Sequence, residues 1–128
     1  MAGFQHPHGA RTGWRHVLAA TGYSLAGARV LLVQPAARLE CTMAAVALVL
    51  FLACGASLPQ TLILLALFAA CLCVEALNTG LEMVVDRTSP ERSDYARDVK
   101  DLGSFAVFCT LAVFNGYAAW TLWALLTA

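Results

Sequence analysis

Glu75, Asn78, Glu82 and Asp86 are spaced by three, four and four residues. At 100° per residue they fall within about 80° of one another and form a single polar stripe on a helix. The segment from Thr61 to Val85, which carries the first three and ends just before Asp86, is otherwise apolar and long enough to span a hydrocarbon core. An acid inside such a span is expensive unless it faces protein, water or a partner, and it therefore marks a functional site. Glu75 lies deepest, just after the apolar run Leu72-Cys73-Val74. Hard oxygen ligands of this kind suit Mg²⁺, which takes one or two carboxylates and leaves its other positions to phosphate and water. The plainer alternative makes Glu75 and Asn78 mere glue between helices and Glu82 and Asp86 ordinary end charges. Four such groups on one face exceed what glue requires.

A second constellation, Lys100-Asp101-Leu102-Gly103-Ser104, opens the next apolar run and brings a cation and an acid to the depth of Glu82 and Asp86. A lysine there can screen phosphate charge, as phosphoryl transfer requires, or simply snorkel and anchor its helix. The chain has no Gly-x-x-x-x-Gly-Lys run, which excludes a P-loop kinase.

The elements that must position these groups follow from composition. Of 128 residues 60% are hydrophobic and only 12% charged, too apolar for a soluble domain of this size. An all-α membrane protein is expected, with spans at about 41–58, 61–85 and 102–128. Only Ser57-Leu58-Pro59-Gln60 separates the first two, so they pair as an antiparallel hairpin. Ahead of them Thr12 to Val33 carries Trp14, Leu18, Leu25, Ala28 and Leu32 on one stripe, with Arg15 and Arg29 off it. That is the pattern of an N-terminal interfacial amphipathic helix, ended by Pro35. Ser89-Pro90-Glu91 reads as the start of a short cytoplasmic helix between the second and third spans, running towards Asp101. Residues 1–10, with His6 and His8, show neither a signal-peptide core nor a cleavage site and read as a disordered leader to a single domain over 11–128. The five cysteines sit in apolar runs without zinc-site spacing and read as small buried hydrophobes.

All eight basic residues lie before the first span (Arg11, Arg15, Arg29, Arg38) or between the second and third (Arg87, Arg92, Arg97, Lys100). The positive-inside rule then places the N-terminus in the cytoplasm and the C-terminus in the periplasm of a bacterial inner membrane. Trp120 and Trp123 suit the opposite interface. No nucleic-acid partner is expected, and the net charge of zero, which hides a strong spatial bias, says nothing about nucleic acid.

The run Glu75-Ala76-Leu77-Asn78-Thr79-Gly80-Leu81-Glu82-Met83-Val84-Val85-Asp86 resembles the signature of the prokaryotic diacylglycerol kinase family, Glu-x-x-Asn-(Ser/Thr)-x-x-Glu-x-x-Val-Asp. Lys100-Asp101-x-Gly103-Ser104, and Gly22-Tyr23-Ser24 with Gly27, extend the resemblance over roughly 13–128. It implies a homotrimer whose neighbouring subunits share active sites, with ATP entering from the cytoplasm and the lipid from the bilayer. By the same resemblance Glu75 is the general base and Asn78 its neighbour in the catalytic centre. Glu82 is a ligand of Mg²⁺ and ATP, while Tyr23, Glu91, Lys100 and Asp101 are nucleotide contacts. Ser104, with Arg15 and His16, lies beside the lipid. Three positions depart from the pattern. Gln34 or Pro35 stands where a second metal-binding acid is usual, so that Gln34 offers only a neutral carbonyl unless Glu40 compensates. Asp98 replaces a common basic residue, and His16 replaces an arginine, with Arg15 adjacent.

The activity so implied is ATP-dependent phosphorylation of diacylglycerol to phosphatidate. Undecaprenol kinase is the rival within the same chemistry, and a non-catalytic membrane scaffold or nucleotide-binding regulator the rival outside it. Intramembrane acids retained without a use argue against the latter. Three helices without an inverted repeat or a broken helix do not make a transporter.

Overall fold

The computed structural model describes residues 13–89 and 93–127, apart from the side chains of Arg15 and His16. The described residues form four helices and no strand: α1 (Trp14–Val33), α2 (Pro35–Ala53), α3 (Leu58–Thr88) and α4 (Asp94–Thr127). They fall into two compact units, one ending at Val30 and the other beginning at Leu31. In the first unit α1 turns the hydroxyls of Thr21 and Ser24 back onto the carbonyls of Val17 and Ala20, so neither hydroxyl opposes an apolar environment. Trp14, Leu18 and Leu25 are all exposed, as an interfacial helix requires.

Proline at 35 explains the break between α1 and α2. Its ring pushes the preceding residue out of the helical region, and Gln34 is extended (φ −70°, ψ 131°). At the first helical position the missing N–H of proline is harmless, so α2 starts at once. The first membrane helix therefore begins at Pro35 rather than Cys41, and Arg38 and Glu40 belong to its first turns. At its far end α2 closes on Gly55 (φ 74°), where a left-handed residue lets Ala56 N–H reach Phe51 O (2.9 Å) and Gly55 N–H reach Leu52 O (3.3 Å). The next helix starts directly: Gln60 folds back so that its side-chain oxygen accepts the Ser57 N–H at 2.7 Å. The turn is thus residues 54–57, and Leu58, Pro59 and Gln60 already belong to α3.

α2, α3 and α4 are long and apolar enough to cross a membrane. α3, with 31 residues, is about 46 Å long and α4, with 34, about 51 Å, so each overruns a hydrocarbon core of about 30 Å. The separate short helix expected after Pro90 is corrected on the described residues. Ser93 Oγ accepts the Ala96 N–H (3.1 Å), α4 starts at Asp94, and no glycine or proline before Gly103 interrupts it, so the charged turn runs straight into the third span.

α3 and α4 form the main pairing, and α2 packs on both. The core is Ala44, Ala47 and Phe51 of α2, Leu64 and Cys71 of α3, and Phe114 and Ala118 of α4. Small residues on α2 let the helices approach where lipid supplies no hydrophobic drive. Tilted aromatic pairs, Phe51–Tyr117 at 6.2 Å and Phe68–Phe114 at 6.1 Å, fill the rest. Tyr117 also donates to the Gln60 carbonyl at 3.0 Å, tying α4 to the start of α3. The five cysteines are free thiols; Cys71 is buried, whereas Cys73 and Cys109 are exposed rather than buried as expected.

Candidate active site

The polar stripe of α3 opens into a cavity of about 260 Å³ within the second unit. Gln34, Pro35 and Ala36 close it at the start of α2; Glu75, Asn78, Thr79 and Glu82 come from α3; Ser104 and Val107 come from α4. Three helices far apart in sequence thus bring together the expected catalytic pair Glu75 and Asn78, the two expected metal positions Glu82 and Gln34, and Ser104.

Glu75 is 4% exposed and accepts no hydrogen bond among the described residues. A carboxylate so placed is costly unless something entering the cavity engages it. Asn78 donates through Nδ2 to Glu82 Oε1 at 3.2 Å, while its Oδ1 is buried without a hydrogen-bond partner. Gln34 makes no capping bond to α2, which leaves its amide to the cavity wall. Among the described residues no group of three or more His, Cys, Asp or Glu is placed to hold a metal by itself. The residues lining the cavity are compatible with Mg²⁺ held jointly with a nucleotide: Glu82 would offer a charged oxygen and Gln34 a neutral one, leaving the other positions to phosphate and water.

The other expected site residues are less concentrated. Lys100 pairs with Asp86, joining the charged ends of α3 and α4, and Asp101 is exposed on α4; neither lines the cavity. Glu40 is 4% exposed in α2, outside the cavity lining, with Oε2 unpartnered. Tyr23 is exposed on α1 in the first unit. Glu91 and the side chains of Arg15 and His16 lie outside the described residues. Sequence reasoning missed Thr79, Val107 and Ala36. Thr79 follows Glu75 by one turn and sits on the same stripe, a signal that was present; Val107, an apolar residue among apolar residues, gave none.

Comparison with known proteins bears on the same residues. The family model for prokaryotic diacylglycerol kinase matches residues 22–122. A diacylglycerol kinase of Sinorhizobium sp. is 42% identical over 110 residues, covering 86% of this chain and 80% of the relative. One of Pseudomonas aeruginosa is 37% identical over 111 residues (85% and 89%), and one of Escherichia coli K12 is 32% identical over 104 residues (80% and 84%). The matched region holds α2, α3, most of α4 and every described residue that lines the cavity, so by its signature and by its similarity over most of its length the chain belongs to the prokaryotic diacylglycerol kinase family.

Proposed function

We propose that this membrane kinase transfers the γ-phosphoryl group of ATP to the primary hydroxyl of diacylglycerol, giving phosphatidate and ADP. The observation that carries the reading is the convergence of Glu75, Asn78, Glu82, Gln34 and Ser104 on one cavity. Glu75 takes the hydroxyl proton, the freed oxygen attacks the γ-phosphorus in line, and the bond to the bridging oxygen of ADP breaks. Glu82, with Gln34, holds Mg²⁺, which neutralises charge on the phosphates. Lys100 and Asp101 contact the nucleotide at the charged end of α3 and α4, and the family resemblance assigns nucleotide contacts to Tyr23 and Glu91 as well. Ser104, which lines the same cavity as the base, holds the glycerol end of the lipid, and the family resemblance assigns Arg15 and His16 to the lipid as well.

The names of the relatives favour diacylglycerol over undecaprenol as acceptor. A non-catalytic scaffold has no use for a carboxylate buried in a membrane helix and opening onto a cavity. Purified protein in lipid, given labelled ATP with diacylglycerol or undecaprenol and with or without Mg²⁺, tests the reading. Magnesium-dependent label in phosphatidate is expected; label only in the polyprenol, or in neither lipid, would overturn it.

A further inference from the structure

Gly103 is the one described glycine at which an added side chain would meet a neighbouring residue. A Cβ built there would fall well inside contact distance of Asn78 Oδ1, whereas at the other described glycines nothing lies within 4 Å of an added Cβ. The atom it would strike is the same Oδ1 that is buried without a hydrogen-bond partner. The amide of Asn78 is planar and rigid, so the position of Oδ1 against α4 fixes the direction of Nδ2, and Nδ2 donates to Glu82 Oε1 at 3.2 Å. Asn78, Glu82 and Ser104, the neighbour of Gly103, all line the cavity.

We propose that Gly103 is a positioning residue: by leaving room for the Asn78 carbonyl it turns the Asn78 amide onto Glu82 and so orients the carboxylate that holds the metal–nucleotide complex. The proposal rests on the reading of Glu82 given above. The Asn78 side chain is the easiest part to move, so a methyl group at 103 rotates the amide away from Glu82 rather than parting α3 from α4. One oxygen of Glu82 then loses its donor, and the carboxylate is free to turn from the ion.

The experiment is a double-mutant cycle on full-length protein in lipid, using Gly103→Ala, Asn78→Ala and both together. It reads the affinity for Mn²⁺–nucleotide by the electron paramagnetic resonance of bound Mn²⁺, alongside KM and kcat. Gly103→Ala should weaken Mn²⁺–nucleotide binding about tenfold, the loss of one hydrogen bond to a charged group, and should raise KM for the nucleotide more than it lowers kcat. Added to Asn78→Ala, it should change nothing further, because the amide it displaces is gone. Equal losses in the native and Asn78→Ala backgrounds, or unchanged affinity in Gly103→Ala, would overturn the proposal. If Gly103→Ala does not fold, recovery of the fold in the double variant supports the steric link and lack of recovery refutes it. Glu82→Gln, measured in parallel, separates the two readings. If it leaves Mn²⁺–nucleotide affinity intact, the role of Glu82 fails whatever Gly103 does.

Discussion

At the scale of single residues, Glu75 and Glu82 share one helix face and one cavity yet are set apart by their surroundings. Glu75 is buried and accepts no hydrogen bond among the described residues, whereas Glu82 accepts the Asn78 amide and is only half-buried. A general base and a metal ligand lose function differently when one oxygen becomes an amide. Glu75→Gln should lower kcat about a hundredfold or more and leave KM for ATP little changed. Near-native turnover would remove Glu75 from that role. Glu82→Gln should instead weaken Mg–ATP binding, with raised Mg²⁺ recovering part of the activity. Gln34 lines the same cavity but brings no charge. Gln34→Glu should therefore lower the Mg²⁺ concentration at half-maximal rate, by supplying a second anionic oxygen. An unaltered Mg²⁺ titration would show that position 34 does not reach the ion.

Among the elements, the α3–α4 pairing does two jobs with different side chains. Its deep part is held by packing: Leu64 of α3 and Phe114 of α4 are at most 2% exposed, with Phe51 of α2 fully buried against them. Phe114→Ala should cost about 3–5 kcal/mol of stability, the usual range for truncating a buried aromatic, visible as a lowered unfolding midpoint in mixed micelles. The charged end is held differently, by the Lys100–Asp86 pair, whose side chains remain 38% and 66% exposed. Exposed pairs contribute at most about 1 kcal/mol. Asp86→Asn should leave the unfolding midpoint nearly unchanged but release Lys100 and so alter KM for ATP. A midpoint drop as large as that of Phe114→Ala would make the pair a structural clamp instead. Pro35 acts at this scale too: it ends α1, starts α2 and leaves the Gln34 side chain on the cavity rim.

For the whole molecule, a burial cost is carried by what one chain leaves open. Glu75 has no hydrogen-bond partner of its own among the described residues, and large apolar side chains such as Leu77, Phe105, Phe108 and Trp120 are exposed. Lipid can cover the apolar groups but not the half-buried Asn78 and Glu82 that one chain leaves partly open on the same stripe. We expect a homotrimer in which neighbouring copies cover the stripe. Cross-linking in a mild, activity-preserving detergent should give trimers; monomers alone would count against it. The basic residues at one end further predict a cytoplasmic N-terminus, which reporter fusions at either terminus can check. Much of this could be read from the chain itself. A 3.6-residue period places Glu75, Asn78 and Glu82 on one face whatever they pack against, and uninterrupted apolar runs commit three helices to the membrane. Both are local properties, fixed by covalent spacing and by the bilayer as solvent. Which residues from other helices meet that face is not local. That Gln34 and Ser104 line the cavity while Glu40 lies buried beside it, that Lys100 pairs with Asp86, and that Gly103 leaves room for Asn78 depend on how α2, α3 and α4 interlock. Helix–helix registry in lipid is set by side-chain shape across the interface, and only the folded chain brings those shapes together.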